Sequence, residues 1–492
     1  MSEYDIVIGL EVHVHLKTAT KLFCRCTNGF SHDANTQICP VCTGQPGTLP
    51  VINKKAVEQA VKASLALNCD VQEKSVFARK QYFYPDLPKN YQISQYELPI
   101  ALNGNVDVGE RKVRLTRAHM EEDAGKLIHT SDAMSLVDYN RTGSPLLEIV
   151  SEPEIDSPQL ASDYLKKMRH LLRWYDVSDC DMEKGSMRCD ANISLKEKGA
   201  SELGVKVEIK NLNSFKAVEK ALEYEIKRQA KKLDDKETIM QETRLWDDDR
   251  GITLSMRSKE EANDYRYFPE PDLPVLVVEK EDIKEIRSKM PDSPGTKIKK
   301  LADQYKIDKS NLEKIFTEIC FVEYFEHAAK SLKNPDPEKV IKLINWISGE
   351  LFAVINSEGR ELPSKISDNG FVTEINSIQA LLTPEKLARL VDLIEEGTIS
   401  GKMAKDVFSE MWASGKSPED IIEEKGLKQI TSGDEIEDIC RKAVQENPEI
   451  VEKYKSGKEG VLGALVGAVM KESKGQANPK IVNQKLLELL AE

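Results

Sequence analysis

Residues 5–16, Asp-Ile-Val-Ile-Gly-Leu-Glu-Val-His-Val-His-Leu, alternate strictly between apolar and other positions. Side chains of an extended strand point to opposite faces with period two. Ile6, Ile8, Leu10, Val12, Val14 and Leu16 therefore share one face, and Gly9, Glu11, His13 and His15 share the other. Two later stretches repeat the pattern. In residues 188–195, Arg188, Asp190, Asn192 and Ser194 oppose Cys189, Ala191, Ile193 and Leu195. In residues 205–211, Lys206, Glu208 and Lys210 oppose Val205, Val207 and Ile209. An antiparallel sheet covered on one side gives this alternation. Helical spacing predicts a helix capped by Asn53 with Ala56, Val57, Ala60, Val61, Leu65 and Leu67 inward. Two more helices are predicted over 158–175 and 214–233, the latter with Phe215, Val218, Leu222 and Ile226 on its apolar side.

The pattern changes near Met290-Pro-Asp-Ser-Pro-Gly295. Beyond it, short amphipathic helices separated by Pro, Gly or Asn are predicted at 296–305, 310–318, 321–332, 336–356, 374–381, 383–396 and 400–413. A further set falls at 417–424, 434–446, 448–455, 459–472 and 478–491. The expected fold class is α+β. Residues 1–292 form the sheet domain, residues 293–405 an all-helical domain, and residues 406–492 a small helical tail.

Composition adds boundaries rather than detail. With 492 residues, 40% hydrophobic and 31% charged, the chain has material for several domains. No apolar run reaches the roughly 18 residues of a membrane span. The first residues lack a signal-peptide pattern, so the expected compartment is the cytoplasm. A net charge of −13 excludes a surface that is basic throughout, though not a local basic patch. Lys471, Lys474 and Lys480 near the end are candidate phosphate-backbone contacts, although residue type alone favours solvated lysines.

Candidate chemistry gathers in the first domain. Cys24-Arg-Cys26 and Cys39-Pro-Val-Cys42 are two close pairs able to present four thiolates to one structural zinc ion on loop 24–42. Residues 79–95 are aromatic, basic and broken by prolines, a composition common in ligand-carrying loops. Residues 117–126 hold three consecutive acids, Glu121, Glu122 and Asp123, and Glu148 sits inside the apolar run 146–150. A carboxylate there needs a partner or a metal. Acids hold divalent cations, and lysine and arginine hold phosphates. Their mixture on one sheet face points to Mg²⁺ with a nucleotide; the competing reading is interstrand ion pairing. Arg244, Arg257 and Arg266, near acids and prolines, suit a loop over phosphates.

Segments 9–16, 119–126 (His-Met-Glu-Glu-Asp-Ala-Gly-Lys), 138–152, 188–192, 208–215 and 264–274 resemble the B subunits of tRNA-dependent amidotransferases, the GatB/GatE family. The resemblance covers essentially the whole chain. It implies a glutamine-synthetase-like cradle that binds ATP and Mg²⁺ and phosphorylates the side-chain carboxylate of misacylated Glu-tRNA(Gln) or Asp-tRNA(Asn). Ammonia then displaces the phosphate, making the enzyme a C–N ligase with glutamine as amido donor. The implied metal ligands are Glu11, His13, Glu122, Glu148 and Asp190, with Glu121 and Glu208 in reserve; Glu122 is chosen over Glu121 on the resemblance, not on alternation. Arg188, Lys206, Glu208, Lys210, Arg244, Arg257 and Arg266 are the implied ATP or phosphate contacts. Lys80, Lys89 and Glu122 match residues lining an ammonia channel. The implied partners are an amidase A subunit, a small C subunit and tRNA gripped by the helical tail. No glutaminase nucleophile is found in this chain.

Two other readings compete. The His13-x-His15 pair could open an amidohydrolase metal site, but that also needs further histidines and a late Asp on other strands; only seven histidines exist here, and no βα repeat follows. A non-catalytic tRNA-binding scaffold is the alternative within the family, and Glu11, His13, Glu122, Glu148 and Asp190 argue against it.

Overall fold

The computed structural model describes residues 4–29, 31, 33–130, 134–256, 265–358, 382–427, 433–456, 459–473, 477 and 479–491. It forms two compact units, Met1–Ser293 and Pro294–Glu492. The first is built on a sheet of twelve strands. These are β1 (Tyr4–His15), β2 (Asp70–Val71), β3 (Phe77–Gln81), β4 (Tyr91–Gln95), β5 (Ala101–Val108), β6 (Arg111–Glu122), β7 (Pro145–Ser151), β8 (Met187–Glu197), β9 (Val207–Leu212), β10 (Glu242–Asp247), β11 (Ile252–Ser255) and β12 (Phe268–Pro269). The order is β11-β10-β9-β8-β1-β7-β6-β4-β3-β12, with β5 also pairing β6 and β2 pairing β5. The β9–β10 pair is parallel and the others are antiparallel.

Strand β1 lies at the centre, as its alternation requires. Ile8, Leu10, Val12 and Val14 are fully buried, while Glu11, His13 and His15 are half-buried on the other face. Three helices belong to this unit's core: α1 (Lys54–Ala66), α2 (Pro158–Trp174) and α3 (Phe215–Asp234). Asn53, Ser157 and Ser214 cap them by accepting backbone N–H groups, satisfying donors that a first turn leaves open. Helix α2 packs on α3 and on β5, and α3 also packs on β8, so one sheet face is covered.

The second unit is helical among its described residues, with helices at Pro294–Tyr305, Lys309–Glu313, Ile319–Ser331, Pro337–Trp346, Phe352–Ser357, Pro384–Glu395 and Gly401–Ser414. The expected helix at 336–356 carries a π-turn at Ile347–Leu351. Helices at Pro418–Lys425, Gly433–Glu446, Pro448–Lys455, Leu462–Glu472 and Pro479–Ala491 follow. Ile436, Cys440, Leu465, Val469, Val482 and Leu486 form a buried cluster among the last of these. The expected helix at 374–381 lies outside the described residues. No helix of the described residues is long and apolar enough to cross a membrane.

Candidate active site

Register builds the site. His13 of β1 stands opposite Glu148 of β7, which stands opposite His119 of β6. Two residues along β6, on the same face, Glu121 completes the group. His13 Nε2 lies 3.5 Å from Glu121 Oε1 and 3.3 Å from Glu148 Oε2. His119 Nε2 lies 3.2 Å from Glu148 Oε2 and 3.8 Å from Glu121 Oε2. Burial disfavours an imidazolium at His119, but Glu148 and Glu121 outweigh it and raise its pKa to about 9. Burial likewise opposes ionisation of Glu148, yet His119 and His13 hold its carboxyl well below the usual range. One donor atom each from His13, Glu121 and Glu148 falls within 4.8 Å of the others. Two carboxylates and an imidazole at that spacing fit a divalent cation.

A second acidic group lies one register step away. Glu11 pairs with Asp190, and Asn192 pairs with Glu208. Asn192 Nδ2 donates to Glu11 Oε1 at 2.8 Å. Lys210 Nζ lies 2.8 Å from Asp190 Oδ2 and 2.9 Å from Glu208 Oε1. Burial opposes the lysine's charge, but Asp190 and Glu208 hold its pKa well above the ordinary value. Lys206 is exposed and helps lower the Glu208 pKa against the effect of burial.

Cations converge on Asp123, just past the end of β6. Its carboxylate, 4% exposed, receives Arg188, Arg141 at 3.2 Å and His15 Nε2 at 2.8 Å. Burial alone would raise its pKa; Arg188, Arg141 and His15 hold it far below.

Glu122 faces the other way. Strand alternation puts it opposite Glu121, where Lys89 pairs with it and Ile93 N donates to Oε1 at 2.9 Å. Glu122, expected among the metal ligands, thus stands apart from His13 and Glu148, and Glu121 lies beside them. A cavity of about 100 Å³ lies beside the Lys89–Glu122 pair, with Cys24, Cys42, Gly44 and Gly143 also in its wall. Gly44 has φ +68°, and a Cβ there would stand 2.5 Å from Lys89 Cγ, so the loop backbone packs directly on the lysine stem. Lys80 lies on the opposite face of β3, its Nζ 4.8 Å from the Tyr265 ring centroid. The expected trio of Lys80, Lys89 and Glu122 is therefore split, with only Lys89 and Glu122 in contact.

Cys24, Cys26, Cys39 and Cys42 also converge, their sulfurs within 4.8 Å of one another. Zinc–thiolate bonds of about 2.3 Å in a tetrahedron place sulfurs about 3.8 Å apart. The Cys39 and Cys42 sulfurs are 3.9 Å apart, so the residues fit the ion. Fully buried Lys21 brings its Nζ to 3.7 Å from Cys42 Sγ, a cation beside thiolate charge.

Arg244 is a correction. Its partner in register is Ile209, on the helix-covered face. There its Nε lies 3.1 Å from Glu225 Oε1 of α3, and it donates to the Thr253 oxygens at 2.8 Å each. Glu225 is fully buried and pairs with Arg228 of α3 as well, so the two arginines are engaged within the fold. Arg266 is exposed, between Tyr265 and Tyr267. Arg257 and Lys474 lie outside the described residues, as does the Lys480 side chain; Lys471 is exposed.

Sequence reasoning does not single out His119, Asp123 or Arg141, and it holds Glu121 only in reserve. Alternation along 119, 121 and 123 carries the signal for the first two and for Glu121. Nothing local marks Arg141, which reaches the site from the loop before β7.

These features define a class: an open-sheet enzyme in which a metal-ready acid and imidazole cluster and fixed cations share one face. Residues 6–284 match the GatB/GatE catalytic domain family, and residues 323–490 match the GatB domain. The chain is 50% identical, over all of both chains, to the B subunit of an aspartyl/glutamyl-tRNA(Asn/Gln) amidotransferase from Carboxydothermus hydrogenoformans. It is 49% identical to the protein of the same name from Caldanaerobacter subterraneus, over 99% of this chain and 100% of that one. A third of that name, from Persephonella marina, is 50% identical over the same shares. The chain belongs to the GatB/GatE family.

Proposed function

We propose that this chain is the carboxylate-activating subunit of an aspartyl/glutamyl-tRNA(Asn/Gln) amidotransferase. The carrying observation is the His13–Glu121–Glu148 cluster on the open face of the sheet, in a chain that matches such subunits over its full length. His13, Glu121 and Glu148 would hold Mg²⁺, with Glu11, Asp190 and Glu208 as further acids on the same face. The ion would offset charge on ATP as its terminal phosphoryl group passes to the side-chain carboxylate of the misacylated tRNA. The chain's own residues then have defined tasks. His119 orients the Glu148 and Glu121 carboxylates. Lys210 bridges Asp190 and Glu208 and parts the two carboxylates. Arg188 and Lys206 supply positive charge toward phosphate.

The amide nitrogen comes as ammonia from an amidase A subunit, with a small C subunit completing the complex. The cavity at Lys89 and Glu122 supports an ammonia passage, since it has room for a small guest and both groups can hydrogen-bond to it. The zinc ion holds the loop that walls it. The helical tail grips tRNA, with Lys471, Lys474 and Lys480 on its phosphates. The work is cytoplasmic, where tRNA is charged.

The test is ADP formation by the reconstituted complex with misacylated tRNA, Mg²⁺ and ammonium chloride. Turnover that needs the aminoacyl group and is lost in Glu148→Gln supports the reading. Full amidation by Glu148→Gln would leave a tRNA-binding scaffold instead.

A further inference from the structure

The Asp123 cluster is unbalanced in charge. One buried carboxylate faces two guanidinium groups, and arginine stays protonated at any physiological pH. Asp86 is a further acid within electrostatic reach of Arg141 and Asp123, but among the described residues Asp123 is the carboxylate that both guanidiniums contact. A pair built for stability alone needs one arginine, and a second adds repulsion to it.

Both guanidiniums are also anchored from behind. Arg188 Nε donates to Gly185 O at 3.2 Å. Arg141 Nε donates to Ala124 O at 3.0 Å, and its Nη2 to Gly125 O at 2.6 Å. Asp123 Oδ1 accepts Ala124 N at 2.9 Å, so that carboxylate is fixed as well. Each arginine side chain nevertheless stays 37% exposed. Two guanidiniums are thus presented at a surface, each in one orientation.

The place matters as much as the charge. Arg188 stands opposite His13 in the β1–β8 register, and Asp123 is two residues beyond Glu121. Directly paired residues of an antiparallel ladder lie about 5 Å apart. A fixed positive site therefore adjoins a metal-ready negative one. A carboxylate or phosphate oxyanion is the ligand that paired guanidiniums recognise best.

We propose that Arg141 and Arg188, held in place by Asp123 and His15, form the subsite for the reacting oxyanion. That oxyanion is either the side-chain carboxylate of the aminoacyl group or the terminal phosphoryl group of ATP. The inference rests on the proposed function and adds Arg141 to its machinery, with Asp123 as a positioning residue.

The experiment uses the reconstituted complex and three variants, Arg141→Gln, Arg141→Lys and Asp123→Asn. Steady-state amidation with ammonium chloride gives KM for ATP and for misacylated tRNA. Equilibrium binding compares a non-hydrolysable ATP analogue, charged tRNA and uncharged tRNA. In Arg141→Gln, a rise of about tenfold or more in KM for charged tRNA, with ATP-analogue and uncharged-tRNA binding unchanged, assigns the subsite to the carboxylate. A similar rise in KM for ATP, with weakened analogue binding, assigns it to the phosphoryl group. Arg141→Lys keeps the charge but not the fork, and recovers part of the loss in either case. Asp123→Asn moves the same constant as Arg141→Gln. If both KM values stay within twofold while only the melting temperature changes, the cluster is structural and the proposal fails. Orthophosphate and acetate titrated calorimetrically against the complex read the subsite without catalysis. Saturable binding lost in Arg141→Gln supports it, and no binding by wild type overturns it. A wild-type complex that binds these anions yet forms no amidated tRNA would refute the functional reading alone.

Discussion

Replacing Lys89 by methionine isolates the energetics of the buried pair beside the cavity. The side chains of Lys89 and Glu122 are 9% and 2% exposed. Methionine fills the space of the lysine stem and removes its charge, leaving the Glu122 carboxylate with the Ile93 N–H as a donor. Stranding one charge of a buried pair costs about 3–5 kcal/mol. For a unit as large as Met1–Ser293, each kcal/mol moves the melting point by roughly 2–3 °C, so Lys89→Met should melt about 6–15 °C lower. The double variant Lys89→Met/Glu122→Gln removes both charges and keeps an acceptor for Ile93 N, so most of that loss should return. Scanning calorimetry of the intact chain measures both shifts, and hydrogen exchange across β4 and β6 assigns them to this region. Glutamine-driven amidation should stay depressed in the double variant, because a passage needs the polar groups and not only the fold. A single variant melting within about 2 °C of wild type would refute the reasoning, since it would mean that water already screens Glu122.

Glu121→Gln should abolish aminoacyl-dependent ADP formation, exceeding the roughly 10–100-fold loss typical of an outer-shell partner. Glu122→Gln should leave ADP formation within a few-fold and impair glutamine-driven amidation, so assaying both separates the two faces of β6. Cys24→Ser should lower bound zinc, read by plasma mass spectrometry, from about one ion per chain to a small fraction of that. Burial pushes the Cys69 and Cys180 thiols up from 9.0 to about 12, with Asp70 adding to the shift at Cys69. The folded chain then keeps both protons while the unfolded chain loses them. Their contribution to stability is therefore full below pH 9 and falls as pH rises from 9 toward 12. Iodoacetamide at pH 8.5 should spare both until denaturant is added, and rapid labelling without denaturant would contradict this burial.

Local periodicity carries the architecture because it is a property of one segment. The period of two in β1 sorts Glu11, His13 and His15 onto one face, and the same rule, applied to 119–123, sorts Glu121 from Glu122. Resemblance points to Glu122 as a ligand, but a strand cannot turn two successive side chains to the same face, so Glu121 and not Glu122 stands with His13 and Glu148. The cysteine pairs are legible for a similar reason, since C-x-C and C-x-x-C bring ligands together almost unaided. What stays hidden depends on partners far along the chain. Glu225 pairs with Arg228 one turn along α3, which helical spacing allows, but nothing within α3 announces that Arg244 of β10 joins them. Arg244 pairs with Glu242 of its own strand and with Glu225 of α3, and it is the α3 carboxylate, far away in sequence, that fixes it on the helix-covered face. Arg141 is the mirror case. It looks like an ordinary loop arginine, and its role depends on Arg188, which is far away in sequence, already pairing with the same aspartate. Period assigns a side chain to a face, but its electrostatic task is decided by whether the charge opposite it is already matched. At Glu225, Arg228, Arg244 and Glu242 close the match within the fold; at Asp123 two guanidiniums share one carboxylate and stay partly exposed, which is what the proposed anion would use.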